Sequence, residues 1–415
     1  MMTSRERVLK ALNHEEPDRV PIDIGGTIVT GIHIDEYCKL AKYIGMDGAP
    51  PKLIEQFMMV ARNDERMMEW LHCDFIHLES TCHNWGYINK DWKLWRTYSG
   101  NDVLVPGEFD VEEKDGYLYL RNTAGNIAGY MPVGGLYFDK YIRKSDINNI
   151  ELNNINEWKE TLPVFSDEEF RMLETRAKFM HTYTDYAVLG GFCRASLSST
   201  NELYCGHTFE EWMVLLLTDP DYAAEVLDAQ VEIVFRNLVG YLQAVGDYID
   251  VIYISGMDFG SQRTEIFSPE LFNELYVPRY KKINDYIHAH TDAKVLLHTC
   301  GSVVNIMEGL IESGVDALTP VQVTAGNMDP KMLKEKFGDR IVFWGGGANT
   351  QTTLPHGTPE EVRAQVKERL EAFAPGGGYV FNPIHNLQAD IPAENIEAMI
   401  DAVMEFGTYP IKGGK

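Results

Sequence analysis

Eight short apolar runs, separated by helical segments, constrain this chain more than any other feature of its 415 residues. Runs of this length that are rich in β-branched and aromatic residues predict strands, and strands that alternate with helices predict a parallel sheet. Eight is the strand number of a (β/α)8 barrel, and a doubly wound sheet shares the same alternation. We favour the barrel, an α/β fold, because polar or glycine-rich residues follow nearly every run, where barrel enzymes assemble their sites. The eight runs are 20–26, 74–79, 187–192, 250–256, 294–300, 317–320, 341–346 and 379–385.

Start signals mark several of the helices between the runs. Thr358 precedes Pro359 and Glu361, which together give an N-cap threonine, a proline at the first helical position and a capping-box glutamate. Residues 208–211 and 268–270 begin helices in a similar way. These signals predict helices between the third and fourth runs, the fourth and fifth runs, and the seventh and eighth runs.

One region interrupts the alternation of strands and helices. Between residues 92 and 141 the sequence is rich in aromatic residues and glycine, and its polarity alternates, as at 116–121. We expect β-hairpins inserted after the second barrel strand, where they would form a lid or an oligomer contact, the latter giving a homodimer. No repeat or low-complexity linker divides the chain. The sequence therefore predicts a single domain over residues 1–415, with a β-rich insertion at about 92–141.

The charge balance of the chain limits its partners. A formal net charge of -25 argues against binding to nucleic acid or to an anionic membrane. The N-terminus has no apolar signal-peptide core, and no run reaches the length of a membrane span. The six cysteines form no CxxC pair, which favours a reducing compartment. We therefore expect a cytoplasmic protein.

The fifth run ends in a pair of potential metal ligands. His298 and Cys300 are two residues apart, and side chains two apart on a strand point to the same face. Imidazole and thiolate together suit zinc, and a third ligand from elsewhere would leave one tetrahedral position open for a substrate. The alternative is a hydrogen-bonded core histidine beside a small buried thiol.

Six segments spread over nearly the whole chain carry a family resemblance. They are RERVLKALNH (5–14), PDRVP (17–21), MDFGSQ (257–262), FWGGG (343–347), LPHGTPEEV (354–362) and HNLQ (385–388). In these segments the chain resembles the uroporphyrinogen decarboxylase superfamily. The resemblance implies a (β/α)8 barrel and one of two kinds of enzyme, namely cofactor-free porphyrinogen decarboxylases or zinc-dependent methyltransferases that work with corrinoid proteins.

The site residues favour the methyltransferases. The decarboxylases bear arginines in an N-terminal segment that grips the propionate groups of the tetrapyrrole, whereas the corresponding residues 23–30 contain no basic side chain. The coenzyme M methyltransferases bind zinc through His-x-Cys and a later cysteine. His298 and Cys300 match the first pair, and alignment on residues 392–396 places His385 where the later cysteine would be. The alternative for His385 is a strand-end histidine bonded to the backbone.

The exchange of a thiolate for an imidazole has a chemical meaning. It removes one negative charge from the site and leaves zinc a stronger Lewis acid toward a neutral oxygen. The resemblance therefore implies the first half-reaction. In it, a methyl group moves from a methoxylated aromatic substrate to the cob(I)alamin of a separate corrinoid protein. A methyltransferase to a thiol or folate, a metal-free decarboxylase and a non-catalytic binding protein are the alternatives.

Several further side chains are candidates for the site. Asp258 follows the fourth run and is expected to ligate zinc, to protonate the leaving oxygen or to orient a metal-bound histidine, unless it only caps its own turn. Glu79 is an additional candidate ligand, with a surface salt bridge as its alternative. Side chains expected to contact the substrate, or otherwise to make loop hydrogen bonds, are Gln262, Trp344, Asn386 and Gln388. Aromatic residues expected to line an apolar ring pocket are Trp85, Trp92, Trp95 and Tyr98.

Overall fold

The computed structural model describes residues 2–46, 48–81, 87–138, 140–141, 154–192, 197 and 204–411. Trp85 lies outside this part of the chain. The strands of the described residues, in chain order, are β1 (Leu53–Glu55), β2 (Val60–Ala61), β3 (Phe75–Leu78), β4 (Lys93–Arg96), β5 (Asp102–Val105), β6 (Asp110–Lys114), β7 (Tyr117–Arg121), β8 (Ile127–Pro132), β9 (Lys140–Tyr141), β10 (Ala187–Phe192), β11 (Val251–Ser255), β12 (Lys294–His298), β13 (Ala317–Thr319), β14 (Val342–Trp344) and β15 (Tyr379–Val380).

Seven strands form one parallel sheet in the order β15-β14-β13-β12-β11-β10-β3. The first apolar run occupies the eighth place, between the two ends of this sheet. Ile22 forms a parallel bridge with Phe381 on one side, and its carbonyl accepts a hydrogen bond from Asp74 N at 2.8 Å on the other. The predicted (β/α)8 barrel is confirmed, because the eight apolar runs supply its eight strand positions in order.

Alternation along the strands divides the barrel interior from the layer beneath the helices. Leu296 and His298 face the interior, while Val295 and Leu297 belong to the larger core outside the sheet. The interior is filled by side chains of several strands, as in other barrels of eight strands. Its members include Phe75, Ala187, Leu189, Val251, Tyr253, Leu296, Ala317, Val342, Trp344 and Val380.

The helices begin where the sequence predicts. Thr358 and Glu361 form a capping box, as do Thr208 and Glu211, and the Ser268 hydroxyl accepts a hydrogen bond from Leu271 N. The α-helices are Ser4–Leu12, Ile34–Tyr43, Glu65–Trp70, Ile155–Glu160, Asp167–Tyr183, Phe209–Thr218, Pro220–Val245, Pro269–Leu275, Val277–His290, Met307–Glu312, Pro330–Phe337, Thr353–His356, Pro359–Phe373 and Ala393–Phe406, with a 3-10 turn at Val304–Ile306.

A buried ion cluster closes the seam between the first and second barrel strands. The fully buried carboxylate of Asp74 accepts hydrogen bonds from Arg7 and Arg19, each at 2.7 Å, and from Ile22 N at 2.8 Å. A buried carboxylate is stable only when its lone pairs are satisfied. The two arginines therefore fix the N-terminal helix and the first strand against the start of β3.

The predicted β-rich insertion is also confirmed. Strands β4 and β5 form a hairpin, and β6 to β9 form a four-stranded antiparallel sheet, all between the second and third barrel strands. None of the helices in the described part of the chain combines the length and apolarity needed to cross a bilayer. The single-domain organisation stays a prediction.

Candidate metal centre

Three potential metal ligands meet at the carboxyl end of the barrel. His298 is the last residue of β12, Cys300 lies in the turn that follows, and His385 lies in the loop after β15. One ligand atom from each side chain lies within 4.8 Å of the others. His298 Nε2 is 3.6 Å from Cys300 Sγ, and the two imidazole rings meet edge to face with their centroids 5.6 Å apart.

The donor set fits a zinc ion. Zinc bonds to nitrogen at about 2.0 Å and to sulfur at about 2.3 Å, so the N to S edge of a tetrahedral site is about 3.6 Å. The separation of His298 Nε2 from Cys300 Sγ is the length of such an edge. His298 Nδ1 is buried and has no hydrogen-bond partner among the described residues. His298 therefore differs from the satisfied core histidine that the sequence left as an alternative.

Burial keeps the three side chains uncharged when no cation is bound. Removal from water lowers the pKa of His298 and lowers that of His385 to about 3, where the charge of His298 acts in the same direction. Burial also raises the pKa of the Cys300 thiol well above its usual range, and the negative charge of Asp258 adds to the effect. A divalent cation would displace the thiol proton, and the negative charge of the resulting thiolate would offset part of the positive charge of the cation.

Hydrogen bonds join two loops that we call the coupled loops, residues 256–261 after β11 and 298–302 after β12. Asp258 Oδ1 accepts from Cys300 N at 2.9 Å and lies 3.7 Å from His298 Nε2. Asp258 therefore contacts both His298 and Cys300. The other bonds are Phe259 N to Thr299 Oγ1 at 2.8 Å, Gly260 N to Cys300 O at 3.2 Å and Ser302 N to Ser261 O at 2.8 Å.

Further interactions hold the backbone at His385 and at Gly301 in place. His385 has a φ of +71°, a left-handed conformation that non-glycine residues seldom adopt, and its neighbours are tied by bonds from Ile384 N to Ala348 O and from Leu387 N to Gly31 O. Gln322, after β13, accepts a hydrogen bond from Gly301 N at 2.8 Å. Gln322 went unnoticed in the sequence, although its place at the end of the sixth strand was a usable signal.

Three other predicted site residues have structural partners instead. Both carboxylate oxygens of Glu79 accept from Arg62, and Glu79 is not among the ligand side chains that lie together in the described residues. The indole N–H of the fully buried Trp344 donates to Asp23 Oδ2 at 2.8 Å, so it is unavailable to a substrate. Asn386 accepts from Gly31 N and donates to Ile28 O, which orders the loop between them.

Two predicted substrate contacts keep free polar groups. Gln262 is exposed in the loop after β11, and its side chain makes no hydrogen bond to the described residues. Gln388 is half-buried and donates from Nε2 to the hydroxyl of Tyr137. Tyr137 belongs to the insertion and was missed in the sequence, which carries no sign of which insertion residue reaches the barrel mouth.

The aromatic residues expected around a ring pocket have other contacts. Trp92 lies under the ammonium of Lys52, 5.0 Å from the ring centroid, and Trp95 packs edge to face on Phe109 at 5.2 Å. Tyr98 is 60% exposed. Trp92 therefore contacts the segment that precedes the insertion, Trp95 packs within the insertion, and Tyr137 reaches the barrel mouth.

A family model agrees with this architecture. Residues 130–406, about two thirds of the chain, match the model described as "Uroporphyrinogen decarboxylase (URO-D)". The chain belongs to the uroporphyrinogen decarboxylase family. The family resemblance drawn from the sequence motifs is thereby confirmed.

Individual relatives match this uroporphyrinogen decarboxylase family member over shorter segments. A uroporphyrinogen decarboxylase of Psychromonas ingrahamii is 33% identical over 100 residues, which are 24% of this chain and 26% of the relative. That of Pseudoalteromonas translucida is 33% identical over 144 residues, 34% of this chain and 38% of the relative. The chain thus spans less than half the length of these two relatives.

A solved structure shares the fold over nearly the whole family member. A methyltransferase from Methanosarcina mazei superposes with a TM-score of 0.54 at 18% sequence identity, covering 98% of this chain and 99% of that chain. At this identity the likeness supports the barrel fold alone.

The close approach of the coupled loops yields a prediction. A Cβ at Gly301, whose φ is +85°, would overlap backbone atoms of Gly260. We expect Gly301→Ala to lower the free energy of unfolding by about 2–5 kcal/mol, the sum of overpacking and left-handed strain. The matched control is Gly376→Ala, where φ is +79° and nothing lies within 4 Å, so only the strain of about 1–2 kcal/mol remains. Urea denaturation measures both, and equal losses would contradict the tight contact.

Proposed function

We propose that this chain is a zinc-dependent methyltransferase of the first half-reaction, which moves a methyl group from a methoxylated aromatic compound to the corrinoid of a separate protein. The observation that carries the proposal is the convergence of His298, Cys300 and His385 at the carboxyl end of the barrel. Barrel enzymes place their active sites at this end. The shared fold of the Methanosarcina mazei methyltransferase is compatible with it.

The composition of the triad supports the methyl donor side of the chemistry. His298, Cys300 and His385 would hold zinc with a single thiolate, so the bound ion would keep more positive charge than one held by two thiolates. Zinc in this site would supply a Lewis acid for an ether oxygen. A thiol acceptor would gain less from this ligand set than an ether donor.

The bond changes balance without any redox partner. The O–CH3 bond of the ether breaks with its electron pair left on oxygen, the methyl group passes to the Co(I) corrinoid of the partner, and the oxygen takes up a proton to give a phenol. Asp258 would hold the ligand loop through Cys300 N, and its carboxyl group, whose side chain is 48% exposed, would relay a proton from solvent to the oxygen.

The end of the first strand argues against a polycarboxylate substrate. Residues 23–30 contain no basic side chain, and Asp23 adds an acidic group there. Burial raises the pKa of Asp23 to about 6, while hydrogen bonds from Trp344 and Gly26 act in the opposite direction. A substrate with several carboxylates would meet no counter-charge in this segment. The metal-free decarboxylase is therefore the weaker candidate.

The expected partners and location complete the proposal. The chain contains no Asp-x-His-x-x-Gly motif of a corrinoid carrier, so the corrinoid would arrive on a separate protein that docks over the barrel mouth. The acidic charge of -25 is retained as the reason to expect no nucleic-acid partner. We propose a cytoplasmic location for this single-domain enzyme.

The first prediction of the proposal concerns metal content. The purified chain should bind about one zinc, and Cys300→Ala and His385→Ala should each weaken zinc affinity by more than about 100-fold, since losing a ligand costs more than losing an outer partner. Elemental analysis and chelator competition measure this. Cys38→Ala and the exposed His356→Ala are matched controls away from the triad. Full zinc occupancy in both triad variants would remove the assignment.

A second prediction separates the charge of Asp258 from its hydrogen bond. Asp258→Asn keeps an oxygen that can accept from Cys300 N, so zinc content should hold while the single-turnover rate falls by about 10²- to 10⁴-fold. Asp258→Ala should also loosen the coupled loops and lower zinc affinity. Asp339→Asn, with a side chain 82% exposed, is the control. An unchanged rate for Asp258→Asn at saturating substrate would leave Asp258 only a turn residue.

The third prediction tests the reaction itself. Mixed with a reduced corrinoid protein of the same organism and a methoxylated aromatic compound, the chain should convert the Co(I) absorption spectrum to that of the methylated corrinoid and release the phenol. The reverse pairing offers the methylated corrinoid protein to coenzyme M or tetrahydrofolate. Faster turnover in that direction, with no ether demethylated, would assign the second half-reaction, and metal-free decarboxylation of a porphyrinogen would overturn both.

A further inference from the structure

Tyr137 of the insertion is fixed over the barrel mouth by its two neighbours. Phe138 is fully buried and donates from its backbone N to Phe57 O at 3.0 Å, and Leu136 O pairs with His33 Nε2 at 3.1 Å. The Tyr137 ring packs against Phe57, with centroids 6.0 Å apart, and against the side chains that fill the barrel interior. Its phenol is therefore held in place from both sides.

The Tyr137 hydroxyl acts as an acceptor toward the protein. Its oxygen accepts a hydrogen bond from Gln388 Nε2, and the side chain of Asn386 also interacts with it. No hydrogen bond from the hydroxyl proton to a described residue is observed. A phenol whose oxygen accepts from amide groups directs its proton away from them. Among the described residues, the Tyr137 hydroxyl is therefore a donor without a partner at the barrel mouth.

The charges around the phenol keep that proton in place. Burial raises the pKa of Tyr137 to about 12, and the negative charge of Glu55 acts in the same direction. Tyr137 is thus protonated at neutral pH, and its hydroxyl contacts Gln388, which lies in the same loop after β15 as His385.

The hydrogen bonding of Gln388 in this arrangement is incomplete and therefore unfavourable. Its Oε1 is buried and has no hydrogen-bond partner among the described residues, while its Nε2 serves Tyr137. A buried amide oxygen left without a donor is destabilising, so its presence in a folded protein needs an explanation. Gln388 is better explained as a residue that positions the phenol than as a structural loop residue.

We propose that Tyr137 is a further catalytic residue, whose hydroxyl donates a hydrogen bond to the substrate oxygen that loses its methyl group. The inference rests on the proposed function, since it concerns the oxygen of a methoxylated aromatic compound. That oxygen gains negative charge as the O–CH3 bond breaks. A hydrogen bond to it strengthens during the reaction, so it lowers the barrier more than it tightens binding of the neutral ether. Gln388 is the positioning residue for this donor.

Kinetics with Tyr137→Phe test the donor. The substitution removes the hydroxyl and keeps the ring that packs on Phe57. We expect kcat to fall by about 10- to 100-fold, the contribution of a hydrogen bond to a charged group, with zinc content and unfolding unchanged. Across ring-substituted methoxybenzenes, the loss should grow as the pKa of the released phenol rises. Tyr117→Phe, on an exposed tyrosine of the same insertion, is the control. Demethylation of every donor at the wild-type rate would overturn the proposal.

A binding measurement separates this inference from the proposed function. 4-Nitrophenolate serves as the probe, because it presents the phenolate oxygen and reports its environment by absorbance without any methyl transfer. We expect the zinc-loaded wild type to bind it at least about 10-fold more tightly than Tyr137→Phe. This difference would support Tyr137 even if no ether were demethylated, and equal affinities would overturn it even if ethers were.

A double-mutant cycle tests the positioning role of Gln388. Gln388→Leu should weaken probe binding less than Tyr137→Phe, and adding it to Tyr137→Phe should cause no further loss, because its effect passes through the hydroxyl. Additive losses would contradict that role and assign Gln388 an independent contact.

Discussion

The hydrogen bonds of the coupled loops determine where the potential metal ligands His298 and Cys300 lie. Cys300 is beyond the last strand residue, so the sheet ladder does not fix it. Its backbone N–H is held by Asp258 and its carbonyl by Gly260, while Gln322 holds the next peptide. The loop after the fourth strand thereby acts as a template for the loop after the fifth. Without this template, the spacing of His298 and Cys300 would be that of a mobile turn.

The closed barrel brings together side chains that are far apart in the sequence. His385 is 87 residues from His298 in sequence (385 − 298), yet both belong to the carboxyl ends of strands in one closed sheet. The interior below them is filled by apolar side chains, which excludes water from one side of the site and accounts for the depressed pKa values of both histidines. The same packing that stabilises the fold thus prepares neutral imidazoles for a cation.

The strands and the first two ligands were predictable because they depend on local rules. Alternation along a strand puts Leu296 and His298 on one face, and the eight runs match the eight strand positions. His385 required the family resemblance, since no local rule connects it to His298. The proximity of these side chains is a feature of the geometry, whereas their role in binding zinc stays a prediction.

Three of the predicted site residues share one structural feature. Glu79, Trp344 and Asn386 each have a polar partner from a distant segment, namely Arg62, Asp23 and the loop around Gly31. Sequence spacing gives no information on such pairs, because they depend on which loops the barrel brings together. Tyr137 is the converse case, in which an unremarkable insertion residue lies beside the mouth for the same reason.

Because its first and last strands close the barrel, the protein cannot complete its fold until synthesis is nearly finished. A nascent chain that has emerged only as far as β14 lacks the neighbour that Ile22 pairs with and leaves two sheet edges unpaired. It also contains two of the three ligands, because His385 follows β15. The ribosome therefore delivers the completing ligand and the completing strand almost together, so that the triad assembles only in a chain whose barrel can close.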